Sequence, residues 1–126
     1  MTAGVSASRA NSILNVHRNT AYSAIATPFI KLHIGDPGSA GTANASAVTT
    51  RNAITWNAPS AGSMTLNSLG TWSMTTSETL SHVSEWDAST AGNFIESWAL
   101  TATVPVVNGS TFAISTYTLS VSPIAA

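Results

Sequence analysis

Residues 80–102, LSHVSEWDASTAGNFIESWALTA, form two apolar segments that a run of small residues separates. In residues 80–87, Leu80, His82, Ser84 and Trp86 fall on one face of a strand, and in residues 94–102 Phe94, Glu96, Trp98, Leu100 and Ala102 do so. Alternate side chains of a strand point to opposite faces, so each segment can bury one face. Residues 89–93 between them include Gly92, which adopts positive φ at no steric cost. The stretch predicts a β-hairpin at the centre of the core.

The three acids of this hairpin are the first candidates for chemistry. Glu85 and Asp87 share one face of the first strand, opposite the expected core face with Leu80, His82 and Trp86. Paired carboxylates of this kind occur in glycosidases, but a small chain has few residues with which to build the surrounding cleft. We therefore favour exposed acids at a subunit contact. Glu96 lies on an apolar face, so either a basic residue pairs with it or that face is partly open.

The composition of the 126 residues narrows the class of protein. Hydrophobic residues make up 44%, which argues against disorder, and charged residues make up 7%, against roughly 25% in a typical soluble domain. A surface with so few charges suits a protein that neighbouring subunits cover, or one displayed outside a cell. We expect a homo-oligomer, a trimer or larger. The net charge of −1 gives no basic surface for nucleic acid, which we exclude as a partner.

The sequence also argues against several other classes of protein. It has no cysteine, which excludes disulfides and thiolate metal sites. Its apolar runs are far shorter than the roughly 20 residues that span a bilayer, and its start lacks the apolar region of a signal peptide. The three histidines, His17, His33 and His82, are widely spaced, so no metal site is predicted. Without a nucleotide-binding or nucleophile motif, we predict no cofactor and no enzyme.

The first 27 residues differ from the rest and predict an N-terminal arm or helix. Ser8 is a suitable N-cap for a helix to about Ala24, and the bond between Thr27 and Pro28 should end the segment. Ile13, Leu14, His17, Ala21 and Ile25 recur at helical spacing. A short helix is marginal in water, so we expect this one to reach a neighbouring subunit. The predicted subunit contacts are Arg9, Ile13, Leu14, Arg18, Glu85 and Asp87.

Residues 28–126 predict a single β domain. Strands are expected at residues 29–34, 49–56, 64–66, 69–74, 80–87, 94–102, 112–114 and 117–121. Pro105 should place the end of the hairpin's second strand at a sheet edge, because proline cannot donate to a neighbouring strand. Short strands without intervening helices predict an all-β fold, an antiparallel, jelly-roll-like β-sandwich of seven to eight strands.

Several short patterns between residues 12 and 121 resemble a known family. They are LHIGDPG at 32–38, RNAITW at 51–56, SHVSEWDA at 81–88, WAL at 98–100 and VNGSTF at 107–112. Together they resemble small virion proteins of tailed bacteriophages, especially siphovirus-type phages of Actinobacteria, which are labelled tail-fibre, minor tail or head-decoration proteins. The chain departs from that pattern at Glu85, Trp86 and Ser110. The resemblance implies a β-sandwich that assembles as an oligomer on the virion, without catalysis.

The sequence thus predicts a non-enzymatic virion structural protein, assembled in the host cytoplasm. We favour a decoration or minor capsid protein on the head surface, with a tail or tail-fibre component as the alternative. Its expected partners are sister subunits and the major capsid protein or tail proteins, with a host-surface glycan as a further candidate. A carbohydrate-binding module is the alternative of another class. Exposed, paired tryptophans would favour that module, and buried ones a scaffold.

Overall fold

The computed structural model describes residues 3–121, which form a short N-terminal helix and two antiparallel sheets. The eight strands within these residues are β1 (Phe29–His33), β2 (Asn52–Trp56), β3 (Ser63–Leu69), β4 (Trp72–Ser73), β5 (Glu78–Trp86), β6 (Phe94–Val106), β7 (Thr111–Phe112) and β8 (Thr118–Ser120). The large sheet has the order β6-β5-β1-β2-β3-β8, and β4 pairs with β7 in the small one. The prediction of an antiparallel, sandwich-like all-β fold is confirmed.

The core joins one face of the large sheet to the small sheet. Ile30 and Leu32 alternate on β1, and both are fully buried. From the small sheet, the Trp72 ring lies 6.0 Å from that of Phe112, and its Nε1–H donates to the Thr50 carbonyl oxygen. The buried cluster consists of Ile30, Leu32, Val48, Ile54, Trp72, Met74, Leu80, Val83, Val106 and Phe112. Each of its larger side chains stabilises the fold by roughly 1.5–3 kcal/mol through removal from water.

The large sheet curls until its two edge strands approach each other. Trp98 on β6 stacks on Tyr117, which directly precedes β8, with ring centroids 4.2 Å apart and planes at 6°. Trp56 contacts the same tyrosine at 5.3 Å. Because β6 and β8 end the strand order on opposite sides, only a curled sheet brings these rings together. Because β6 is the first strand in the order of the large sheet, the prediction that Pro105 lies at a sheet edge is confirmed.

Irregular pairing between β5 and β6 changes which face of the hairpin is buried. The register shifts between Leu80 and His82, and Leu80 and Val83 both lie in the core cluster although they are three residues apart. An irregularity of this kind interrupts the alternation of faces. Glu85 follows Val83 in the restored alternation and so faces the core. The expectation that His82 and Trp86 share the core face with Leu80 is therefore wrong.

The N-terminal helix, α1 (Ala7–Asn15), is shorter than predicted. Ser6, rather than Ser8, caps it, since the Ser6 hydroxyl accepts from the Arg9 N–H at 3.2 Å. One 3-10 turn (Val16–Arg18) follows, and the chain then takes a left-handed conformation at Asn19, with φ 59°. Asparagine tolerates that conformation better than most residues, and it ends a helix. This explains why the helix does not continue to Ala24.

The residues that precede α1 extend the large sheet beyond β6. The Ser6 N–H donates to the Ile95 carbonyl at 2.8 Å, and the Ser97 N–H donates to the Gly4 carbonyl at 2.8 Å. Val5 lies opposite Glu96 in an antiparallel bridge. The first part of the predicted arm therefore pairs with its own β domain. The predicted arm includes residues 1–2 and the predicted β domain includes residues 122–126. Both stretches lie outside the described residues.

Replacing Trp98 tests the curl of the sheet. We expect Trp98→Ala to lower the free energy of unfolding by about 3 kcal/mol, because it removes the stack on Tyr117 and opens a cavity beside the core. Urea denaturation measures the change. Val107→Ala, at a side chain 62% exposed, is the control and should change it by less than about 0.5 kcal/mol. Equal urea midpoints for the two variants would show that the stack does not stabilise the fold.

Candidate functional site

Two carboxyl groups face each other on the core side of the large sheet. Glu85 of β5 pairs in register with Glu96 of β6, so the two side chains leave neighbouring strands on one face. Only 4% of Glu85 and 7% of Glu96 is exposed. The expectation of an exposed acid is therefore wrong for Glu85, whose strand position points inward, whereas Glu96 lies on the apolar face on which it was expected. This carboxyl pair is the most unusual group of polar residues that the structure brings together.

Burial decides the protonation of the carboxyl pair. Loss of hydration, reinforced by the charge of Glu96, raises the pKa of Glu85 to about 8. Burial also raises the pKa of Glu96, while its hydrogen bond with Glu85 acts in the opposite direction. A carboxyl group with a pKa raised this far keeps its proton at neutral pH and can donate it to the Glu96 carboxylate. Oε2 of Glu85 is buried without a hydrogen-bond partner within residues 3–121, which further disfavours a charge there.

Arg9 supplies positive charge to the carboxyl pair from α1. Its charge lowers the pKa of both Glu85 and Glu96 against the effect of burial. The guanidinium also hydrogen-bonds the Tyr22 hydroxyl and lies 5.0 Å from the centre of that ring. The structure thus directs Arg9 toward acids of its own chain. Its predicted contact with a partner subunit stays a prediction.

The other predicted contact residues are separate from the carboxyl pair. Asp87 accepts hydrogen bonds from the Asn93 backbone and side-chain amides, at 2.6 and 2.8 Å, which lower its pKa and close the hairpin turn. Ile13 and Leu14 are 47% and 62% exposed on α1. Arg18, on the following turn, donates to Asn15 at 3.3 Å. The structure leaves these side chains accessible without showing what they contact.

The buried histidine, His33, has a structural arrangement of hydrogen bonds. Its Nδ1 lies 2.8 Å from the Ala43 carbonyl oxygen and its Nε2 lies 2.8 Å from the Ser84 hydroxyl. The Trp86 Nε1–H donates to the same hydroxyl at 2.8 Å. Burial is the main cause that lowers the pKa of His33. Within residues 3–121, no cluster of histidine and acidic side chains is suited to hold a metal ion.

The carboxyl pair was only partly visible in the sequence. The signal was Glu96, an acid on the apolar face of a strand that also carries Trp98. Its partner could not be identified, because the register shifts in β5–β6 decide that Glu85, and not a neighbouring position, faces the core. A regular alternation placed Glu85 with Asp87 on the outer face.

The raised pKa of Glu85 predicts a stability that falls as pH rises. Above about pH 4.5 the unfolded chain releases a proton that the folded state keeps until about pH 8. The free energy of unfolding should therefore be highest below that window and fall through it, by at most about 1.4 kcal/mol per pH unit. Urea denaturation between pH 4 and 9 measures this slope.

Two glutamine variants separate the carboxyl pair from other acids. Glu85→Gln keeps a neutral hydrogen-bonding side chain and should flatten the pH dependence. Glu78→Gln is the control, since Glu78 lies on the same strand but binds the Ser46 hydroxyl and the Ala47 N–H. It should keep the wild-type slope because the pair is intact. An unchanged slope in Glu85→Gln would contradict the assigned proton.

Among the described residues, no helix is long and apolar enough to cross a membrane. In comparisons with known proteins, the sequence model of a family described as podophage GP4 fiber I protein gp80 matches residues 4–122. No curated protein matches the chain. The expected resemblance to a phage structural protein is thereby confirmed, while the narrower one, to siphovirus-type phages of Actinobacteria, stays a prediction. With nearly its whole length matched, the chain belongs to the podophage GP4 fiber I protein gp80 family, and so to the structural components of the phage virion.

Proposed function

We propose that this chain is a non-enzymatic subunit of a virion fiber or tail appendage, and that copies assemble through the N-terminal helix into a trimer or larger oligomer. The observation that carries the proposal is α1 itself. None of its nine residues, all of them described, is buried in the isolated chain. The family's description as a fiber protein supports an appendage over the head surface. A decoration role, with the major capsid protein as partner, stays a prediction.

The helix needs a surface that the single chain does not supply. A nine-residue helix is marginal in water, and most helix stability in proteins comes from packing of an apolar face. Here Ile13, Leu14 and Val16 are 47%, 62% and 54% exposed. Covering each of them would contribute up to roughly 1.5–3 kcal/mol. The hydrogen bonds of residues 4–6 to β6 fix the start of the helix, so the exposed side chains are presented at a defined place.

A second copy of the chain is the occupant that the charges favour. The exposed apolar patch has Arg18 as its nearest charge in sequence, and the whole chain carries a net charge of only −1. Identical copies therefore repel each other weakly when they approach. A fiber built from repeated subunits also needs contacts of each copy with the next. Self-association through α1 satisfies both conditions.

The carboxyl pair supports a structural role over catalysis. Glycosidases place their two acids on either side of a bound sugar, in an open cleft. Glu85 and Glu96 are instead 4% and 7% exposed and face each other directly, which leaves no room for a substrate between them. We therefore infer that their proton serves folding stability.

The tryptophans favour a scaffold over a carbohydrate-binding module. Trp72 is 1% exposed and Trp86 is 6% exposed. Trp56 and Trp98 are partly buried and pack against the core, where both contact Tyr117. None of the four presents a flat exposed ring, so recognition of a neutral sugar by stacking is not supported.

Leu14→Glu tests assembly through the helix. The wild-type chain should sediment as a trimer or larger, and the variant as a monomer, because a charge would be buried in the contact. Val107→Glu is the matched control: Leu14 and Val107 are both 62% exposed, but Val107 lies in the turn after β6. It should leave the oligomer unchanged. Sedimentation velocity measures all three, and circular dichroism verifies that each remains folded.

Two outcomes would contradict the proposal. A wild-type chain that stays monomeric at high concentration excludes self-association. An oligomer that Leu14→Glu leaves intact, or that Val107→Glu dissolves, places the contact away from α1.

A further inference from the structure

A basic cleft lies on the outer face of the large sheet, and neither α1 nor the carboxyl pair lines it. It is formed by β1, the residues before β2 and the β5–β6 turn, and its volume is about 550 Å³. Lys31 and Arg51, two of the four basic residues of the whole chain, both line it. The remaining polar side chains of the cleft are hydroxyls, those of Thr49, Thr50, Ser89 and Thr90.

Arg51 is held rigidly in this cleft. Its Nη1 donates to the carbonyl oxygens of Ala88 and Ala91, at 2.9 and 2.6 Å. The guanidinium carbon lies 3.9 Å from the centre of the Trp86 ring. A guanidinium has five N–H donors, and the two hydrogen bonds of Arg51 within residues 3–121 both use Nη1. A fixed cation with unused donors is well suited to bind carboxylate or phosphate oxygens.

Lys31 adds a second cation, and among the described residues no acid lines the cleft beside it. The charge that influences it most is that of Arg51, which lowers the pKa of Lys31 in addition to burial. The charge of Asp87 acts on Arg51 and raises its pKa against the effect of burial, but Asp87 does not line the cleft. Placing two like charges together costs free energy, which a bound anion would recover. Half of the four basic residues of the chain, Lys31 and Arg51, thus lie together in one cleft, which suggests a bound anion.

We propose that the basic cleft binds an anionic carbohydrate, with Lys31 and Arg51 holding its carboxylate or phosphate oxygens and the threonine and serine hydroxyls bonding its hydroxyl groups. This goes beyond the role as a fiber subunit and does not depend on the oligomer. Recognition rests on charge, so a neutral sugar does not bind.

The cleft fits a carbohydrate better than a nucleic acid. Single-stranded nucleic acids bind to basic grooves in which bases stack on aromatic rings. No aromatic side chain lines this cleft, since Trp86 is buried beneath Arg51. Two cations also form a site for one anionic group and not a track for a phosphate backbone. The two cations and the four hydroxyl side chains of the cleft match the charged group and the hydroxyl groups of a charged sugar.

Nuclear magnetic resonance titration of the full chain tests the proposal. At constant ionic strength, glucuronate or inorganic phosphate should shift the amide signals of residues 49–51 and 89–91 until they saturate, whereas glucose and added chloride should not. Saturation by glucuronate assigns a carboxylate ligand, and saturation by phosphate alone assigns a phosphorylated one. No saturable shift with either anion overturns the site. Hexagalacturonate should bind more tightly than hexathymidylate, and the reverse order overturns the choice of carbohydrate.

Three variants assign the binding to Lys31. Lys31→Gln should weaken the affinity about tenfold, since it removes one charge-assisted hydrogen bond. Lys31→Arg keeps the charge and should restore most of the affinity. Arg18→Gln removes an exposed cation elsewhere and should leave the affinity unchanged. Equal loss in Lys31→Gln and Arg18→Gln would show general attraction to the surface and overturn the proposal. Arg51 is left intact because it also holds the β5–β6 turn.

Discussion

The pairing of β5 with β6 has to accommodate two carboxyl groups that face each other. Glu85 and Glu96 lie directly opposite each other on the core face, where two carboxylates would repel each other at low dielectric. A proton on Glu85 converts that repulsion into a hydrogen bond, and Arg9 balances the charge that remains on Glu96. Since β6 is an edge strand, its position in the sheet relies on β5 and on the short segment that precedes α1. The carboxyl pair therefore connects the hairpin, the sheet edge and the helix.

The N-terminal segment has two roles that separate along its length. Its first residues act as an additional strand and are part of the β domain, since Gly4 and Ser6 exchange backbone hydrogen bonds with β6. Its helix adds a charge to the carboxyl pair through Arg9 but leaves Leu14 exposed. A segment fixed at its start and apolar at its far side is suited to connect subunits. In the proposed assembly, the first half of this segment belongs to the folded domain and the second half to the contact between subunits.

Much of the fold could be predicted because strands show in the sequence as alternating side chains with turn residues at their ends. Ile30 and Leu32 alternate within β1, and Pro105 marked β6 as an edge strand. The helix end was missed because the left-handed conformation of Asn19 depends on one residue and not on a pattern. The burial of Glu85 beside Glu96 was missed because a register shift is a tertiary event, set by how β6 fits against β5. The basic cleft was also missed, since Lys31 and Arg51 are brought together only by the pairing of β1 with β2.

The stack of Trp98 on Tyr117 gives the closure of the sheet a spectroscopic signal. The rings are nearly parallel, with planes at 6°, and they belong to opposite ends of the strand order. Near-ultraviolet circular dichroism depends on such fixed aromatic surroundings and disappears when side-chain packing is lost. An event that moves β6 and β8 apart separates these rings. The molecule thus contains an intrinsic optical reporter, which distinguishes opening of its edges from loss of its fold without an attached dye.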